Sequence, residues 1–345
     1  MKKERLFYLD FIRAIAMFLI LLTHYNAHYL FYMNPQRPES AILTLFPFDI
    51  YIGNLGVSLF FIISGAALMY VYQNQCRLRD FYRKRFCSIY PMFWIAYFII
   101  FLYLFFCTGQ MPFKELPKMN FLWTILGMDG YLAGAVPVFY IIGEWFLGCI
   151  ILIYLVFPLL RKCLLSHPVI FCVFITALYI PFAFYEWFPN FGSAKLLMVR
   201  FPEIIFGMLF VWKIKKPRWW MAAAGAVILA ATTIFHPAFP ESFETTYVGI
   251  SFFLVLAWIS SFITSPLIGG IVKTASKYSY AVFLVHHVII DQLALHFPME
   301  ELNRSERYLL FILYCCLTAL AANLLHRLHD RLIKALHENP LRRAA

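Results

Sequence analysis

The sequence predicts an all-α integral membrane protein, a bundle of about ten transmembrane helices with both termini cytoplasmic, forming one domain over residues 1–345. Three observations carry that expectation. Of the 345 residues, 62% are hydrophobic and only 14% charged, whereas soluble domains average about 45–50% apolar and about 25% charged. That leaves too little polar surface to coat a water-soluble core. Stretches of roughly 20 apolar residues recur along the chain, each long enough to cross a bilayer as a helix and to pair its backbone polar groups internally, as hydrocarbon demands. Finally, Lys and Arg gather in alternate loops.

In chain order the expected spans are 7–30, 51–72, 89–107, 143–161, 168–186, 199–214, 219–236, 246–264, 278–297 and 307–326. The apolar segment 121–142 is interrupted by Gly127, Asp129, Gly130, Gly134 and Pro137, so it reads as re-entrant or interfacial. Met1–Arg5 is a charged start, but no small-residue cleavage site follows, so no signal peptide is expected. Beyond the last span, 322–345 is expected as a cytoplasmic tail. Within it Leu324, Leu325, Leu328, Leu332, Ile333 and Leu336 fall at helical spacing, a pattern suited to lying on the headgroups.

The net charge of +11 is a matter of distribution. One set of loops holds Lys2, Lys3 and Arg5; Arg77, Arg79, Arg83, Lys84 and Arg85; Arg161 and Lys162; Lys213, Lys215, Lys216 and Arg218; Lys273 and Lys277; and Arg327, Arg331, Lys334, Arg342 and Arg343. The opposite set has Arg37, Lys114, Lys118, Lys195, Arg304 and Arg307. The positive-inside rule makes the first set cytoplasmic, which fixes both termini inside and an even number of crossings of the cell membrane. The basic balance therefore reads as topology and contact with membrane lipids, not as a nucleic-acid face. None of the eight Cys forms a CxxC pair, so neither a disulfide nor a metal site is expected.

Charged residues inside a span are costly and are functional candidates for that reason. The first span, with Asp10, Arg13, His24 and His28, carries the most such residues. Arg13 and His24 are eleven residues apart, about three turns, and so share one edge with about 16 Å between them. Asp10 lies three residues before Arg13 and can pair with it, and His28 follows His24 at i+4. A neutral histidine and an arginine on one edge suit a proton acceptor combined with an anion anchor; the plainer reading is that Asp10 and Arg13 sit at the inner interface. The basic stretch 77–91 reads as a cytoplasmic loop. Arg79, Arg83, Lys84 and Arg85 offer phosphate donors, and Tyr82, Phe86, Tyr90 and Trp94 offer aromatic faces for an adenine or for the headgroup zone. The remaining intramembrane candidates are Glu144 with Trp145, Arg200 with Glu203, and His286–His287. Arg200 and Glu203 either neutralise each other or touch substrate, and His286 is either a satisfied core histidine or a substrate contact.

Six segments, in this order, resemble the acyltransferase 3 family of multi-span O-acyltransferases of the bacterial cell envelope. They are YLDFIRAIAMFLILLTH, NLGVSLFFIISGAAL around Ser64–Gly65, the basic stretch ending in IYPMFW, EWFLGCIILIYLVFPLL, RFPEIIFGM and KYSYAVFLVHH. The resemblance implies transfer of an acyl group, expected to be acetyl, from cytoplasmic acyl-CoA to a hydroxyl of an extracytoplasmic glycan or lipid-linked saccharide. It implies no tightly bound cofactor, since acyl-CoA is the donor substrate. Arg13 and His24 fall on the family's first-helix pair, and Arg85 on the first arginine of its RxxR element. Ser88 stands where the second arginine is usual, with Arg83 as a substitute. Of the family's Trp-Ser-Leu-x-x-Glu signature, Trp145 and Leu147 remain, with Ile150 in place of the Glu. The expected site is therefore His24 as general base with Arg13 and Asp10, and substrate contacts at Arg83, Arg85, Tyr90, Trp145, Arg200, Glu203 and His286. Transient acylation of His24 or Ser64 is an alternative route. A proton-coupled glycan or lipid transporter, with Asp10, His24 and His286 as relay, is the alternative function. The membrane-bound O-acyltransferases also use an intramembrane histidine, but late in the chain, whereas the strongest polar cluster here is in the first span.

Overall fold

The structure is a computed structural model that describes residues 4–110 and 112–338, and among these it contains helices and no strands. Its helices are α1 (Phe7–Ala27), continued by a π turn at His28–Tyr32; α2 (Ile52–Tyr72); α3 (Leu78–Thr108); the short α4 (Phe121–Ile125) and α5 (Asp129–Leu132); α6 (Glu144–Ser166); α7 (Pro168–Phe184); α8 (Leu197–Leu209), with a π turn at Phe210–Ile214; α9 (Trp219–Phe235); α10 (Glu241–Ile259); α11 (Pro266–His296); and α12 (Arg304–Glu338). Seven are long and apolar enough to cross a membrane: those of α1, α2, α3, α6, α10, α11 and α12. The other three expected spans fall on shorter helices. α7 and α9 have 17 residues each, about 26 Å at 1.5 Å per residue against a hydrocarbon core of about 30 Å. α8 has 13 residues and runs on into the π turn, which is capped at Lys215.

Two expectations are corrected. The basic stretch 77–91 is not a loop but the opening turns of α3, which runs 31 residues through Pro91. The expected tail, within the described residues, does not break away from the last span. α12 is continuous over 35 residues, about 52 Å, because no Gly or Pro occurs between Arg304 and Glu338 to end it. Residues 1–3 and 339–345, with Lys2, Lys3, Arg342 and Arg343, lie outside the described residues, as does the Leu336 side chain.

Close helix contact in the bundle centre comes from small residues, as expected where lipid supplies no hydrophobic drive between helices. A Cβ on Gly65 of α2 would strike the Ile204 carbonyl, and one on Gly207 of α8 the Ile62 carbonyl. The two backbones therefore touch, and α8 is fixed against α2. The segment 121–142 forms the short α4 and α5 and packs on the start of α6, where Gly130 lies so near Glu144 and Trp145 that a Cβ would meet their backbone at 2.5–2.9 Å. Tyr90 Oη and Trp94 Nε1 on α3 donate to the Leu126 and Ile125 carbonyls at 3.1 and 3.0 Å. This segment is thus tucked against spanning helices rather than crossing beside them. On the same side, Asn26 binds the Ile42 backbone at both N–H and C=O, each at 3.0 Å, and seats the 33–51 loop on α1.

Candidate active site

Helical periodicity gives α1 one cavity-facing stripe, formed by Arg13, Ile20, His24, Ala27 and, in the π turn, Phe31. α2 presents a matching stripe through Asn54, Val57, Ser64, Leu68 and Val71. Between them, closed by α3, α6 and α11, lies a cavity of about 700 Å³, within the usual range for small-molecule sites. One end carries Arg13, Tyr72, Arg85 and Ser88. The other carries Tyr32, Tyr51, Tyr140 and Lys195, and burial lowers the pKa of the Lys195 ammonium there. His24 lies between the two ends.

Around His24 three imidazoles meet. Its ring centroid is 4.2 Å from that of His287 and 4.7 Å from that of His286, both edge-on. His287 Nε2 sits 2.8 Å from Glu144 Oε1, and the Tyr140 hydroxyl donates to the same oxygen at 2.6 Å. His287 Nδ1 faces Asp291 Oδ2 at 3.8 Å, while Asp291 Oδ1 is 3.5 Å from His28 Nε2. Two charged rings at such short range repel strongly in a low dielectric. With carboxylates on both its sides, His287 is the one of the three rings placed to hold a proton. His286 is fully buried. Its Nδ1 lies 2.8 Å from the Phe283 carbonyl and 3.2 Å from that of Val282, so Nδ1 carries the hydrogen and Nε2 is a lone pair, which has no hydrogen-bond partner.

The family described as an acyltransferase domain, Acyl_transf_3, matches residues 6–327. The chain belongs to the acyltransferase 3 family. No curated protein and no solved structure matches it. The matched span runs from α1 into α12 and takes in every helix that lines the cavity, so the acyltransferase domain and the cavity-bearing bundle are the same unit.

Within this acyltransferase the expected residues separate into those the fold brings to the cavity and those it does not. His24, Arg13, Arg85 and Trp145 line it. Asp10 does not. It is 2% exposed and accepts from Arg5 Nη2 at 2.8 Å and from Ser276 Oγ at 2.7 Å, with Arg13 Nη1 at 3.5 Å. Arg13 Nη1 in turn donates to Ser276 Oγ at 2.9 Å. Asp10 therefore positions Arg13 and sits about 21 Å down α1 from His24, at 1.5 Å per residue. Because 77–91 is helical, Arg85, Ser88 and Ile89 fall on one face and line the cavity, whereas Arg83 is exposed on another. Arg83 thus does not line the cavity beside Arg85 and Ser88. Tyr90 packs at a tilt against Phe86 and Trp94 and holds the segment after α3, outside the cavity. Arg200 and Glu203 are 1% and 0% exposed and pair at 3.2 Å. Arg200 Nε donates to the Ala194 carbonyl at 2.7 Å, and its guanidinium faces Phe61 and Trp145 at 5.4 and 5.6 Å. This pair is sealed behind Trp145 and does not line the cavity.

Tyr140, Asp291 and Lys195 are site residues that the sequence reading did not single out, His287 was named there only beside His286 and given no role, and Glu144 proves to be the hub of the cluster. The signal for His287 lay in the spacing: Ser279, Tyr280, Phe283 and His287 make an i, i+3, i+4 stripe on α11, with Asp291 four residues further. His286 lies off that stripe, in the packed interior. The spacing of the chain predicted no metal site, yet the fold gathers one nitrogen from each of His24, His286 and His287 within 4.8 Å of one another.

Proposed function

We propose that this membrane acyltransferase carries an acyl group, expected to be acetyl, from acyl-CoA at the basic end of the cavity to a hydroxyl of a glycan or lipid-linked saccharide at the Tyr32–Lys195 end, with His24 as general base. The observation that supports this reading is a single cavity that runs from Arg13 and Arg85, past His24, to Tyr140 and Lys195. Arg85 and Arg13 would hold the CoA phosphates by charge-assisted hydrogen bonds, with the basic end facing the cytoplasm of the cell. The apolar wall of Ile20, Val57 and Phe60 suits the pantetheine arm.

The chemistry balances within the two substrates. Neutral His24 takes the proton of the acceptor hydroxyl as its oxygen attacks the thioester carbonyl. The tetrahedral intermediate then collapses, the C–S bond breaks, and His24 returns the proton to the leaving sulfur, giving free CoA and the ester. The Glu144–His287 pair positions His24 by ring contact, and the carboxylates of Glu144 and Asp291 offset the positive charge of His287 beside it. The carboxylate chain itself moves no net proton. Proton-coupled transport through Asp10, His24 and His286 has less support, because Asp10 is engaged with Arg5, Arg13 and Ser276 far from both histidines.

The test supplies acetyl-labelled acetyl-CoA to membranes that hold the parent chain or His24→Ala, and follows label into glycan, lipid-linked and wall fractions. Label in an envelope fraction with the parent chain alone is the expected result. Equal labelling by two well-inserted proteins removes His24 from the reaction.

A further inference from the structure

We propose that His24, His286 and His287 form a binding site for a divalent first-row transition ion, Zn²⁺ above all. One nitrogen of each ring lies within 4.8 Å of the others. In a tetrahedral site with Zn–N bonds of about 2.0–2.1 Å the nitrogens are about 3.3 Å apart, so the rings need to close by about 1–1.5 Å. His24 and His287 are only half-buried, against the cavity, which leaves them room to turn.

The His286 ring is the second and independent indication. It is fully buried, its Nδ1–H is fixed on the Phe283 carbonyl, and its Nε2 lone pair has no partner. A buried lone pair left unmatched is costly, and a ligand histidine usually has this arrangement, with one nitrogen tied to a backbone carbonyl or carboxylate and the other free for metal. Binding of the ion displaces the proton that Glu144 and Asp291 hold on His287, so the three rings bind as neutral ligands and the two carboxylates match the charge of the ion. Imidazoles with a nearby carboxylate favour zinc, copper or nickel over magnesium or calcium, and three protein ligands leave a fourth position open toward the cavity. One consequence rests on the function proposed above: an ion on His24 occupies the lone pair that accepts the acceptor's proton, so Zn²⁺ reversibly blocks transfer.

The experiment titrates Co²⁺ into the purified full chain in detergent, reads the visible absorption of a four-coordinate ion, displaces it with Zn²⁺, and records X-ray absorption at the zinc edge. One equivalent per chain with a shell of imidazole nitrogens is expected, with affinity reduced at least about 10–100-fold in His287→Gln and in His286→Asn. His287 borders the cavity, so its variant serves where the buried substitution disturbs folding. No visible band up to millimolar Co²⁺, an oxygen-only shell, or unchanged affinity in His287→Gln overturns the site. A bound imidazole shell with label transfer unaffected by Zn²⁺ upholds the site and instead overturns His24 as the base.

Discussion

Two polar clusters lie inside the same apolar bundle, and they are built to opposite ends. The Arg200–Glu203 pair is closed: both side chains are within 1% of full burial, each has a partner of opposite charge, and aromatic rings cover the guanidinium. The His24 cluster is open. It faces a cavity of about 700 Å³, and its His286 Nε2 is left without a partner. Both look alike in one dimension, as charged or titratable residues that lipid should forbid. The difference teaches that completeness of pairing, not burial, separates a structural intramembrane charge from one available to a ligand.

The largest expected effect is at the open cluster. His24→Ala should lower acyl transfer about 10²–10⁴-fold, the usual contribution of a general base, while thermal unfolding in detergent stays near that of the parent. A large loss of melting temperature with little loss of transfer would reverse the comparison. The closed pair should behave oppositely. Arg200→Met leaves Glu203 buried and uncompensated, a loss of about 3–5 kcal/mol, whereas the double change Arg200→Met with Glu203→Leu should be nearly neutral. Unfolding midpoints check this, and equal damage by the single and double changes would show that the charges themselves are needed.

A smaller effect is expected at the basic end of the cavity. Arg85→Ala removes a charge-assisted contact of about 1.5–3 kcal/mol. The KM for acyl-CoA should therefore rise about 10–100-fold with kcat little changed, the signature of binding shared by ground and transition states. Arg83→Ala, on the exposed face of α3, should leave that KM unaltered. Steady-state kinetics with varied acyl-CoA separates the two.

Asp129 gives the smallest effect and sharpens the comparison from a third position, a closed site without a partner. It is 1% exposed, and neither carboxylate oxygen has a hydrogen-bond partner. Burial pushes its pKa up to about 6, with the nearby Thr124 hydroxyl offsetting part of the rise. In the unfolded chain the same group releases its proton near pH 4. Between those values the native state binds more protons than the unfolded one, so stability falls as pH rises from about 4 to about 6 and stays lower above. The change is on the order of 1–3 kcal/mol. Melting curves across that range should show the slope in the parent and lose it in Asp129→Asn.

The sequence made the helical bundle legible because hydropathy over 20 residues is a local property, and every expected span overlaps a helix. The Arg13–His24 edge was legible for the same reason, since helical geometry fixes it without any neighbour. What escaped the sequence depends on neighbours. Whether Arg85 or Arg83 faces inward turned on 77–91 being helix rather than loop, and its run of basic residues read as a loop. His286 and His287 are adjacent in the chain, and only the packing of α11 decides which one borders the cavity. Glu144 joins His287 across more than 140 residues, and Arg200 is closed off by Phe61 and Trp145 from two other helices.

The central claim is that the open cluster is a crossing point, fed with donor from one face and acceptor from the other. Sealed membrane vesicles with the basic face outward test it most directly. Acetyl-labelled acetyl-CoA is added outside only, and label is measured on glycan and lipid-linked saccharide with and without an external esterase that cannot enter. The account predicts ester label inside the vesicles, protected from the esterase and absent with His24→Ala. Label that appears only on the outer face, open to the esterase, would contradict it.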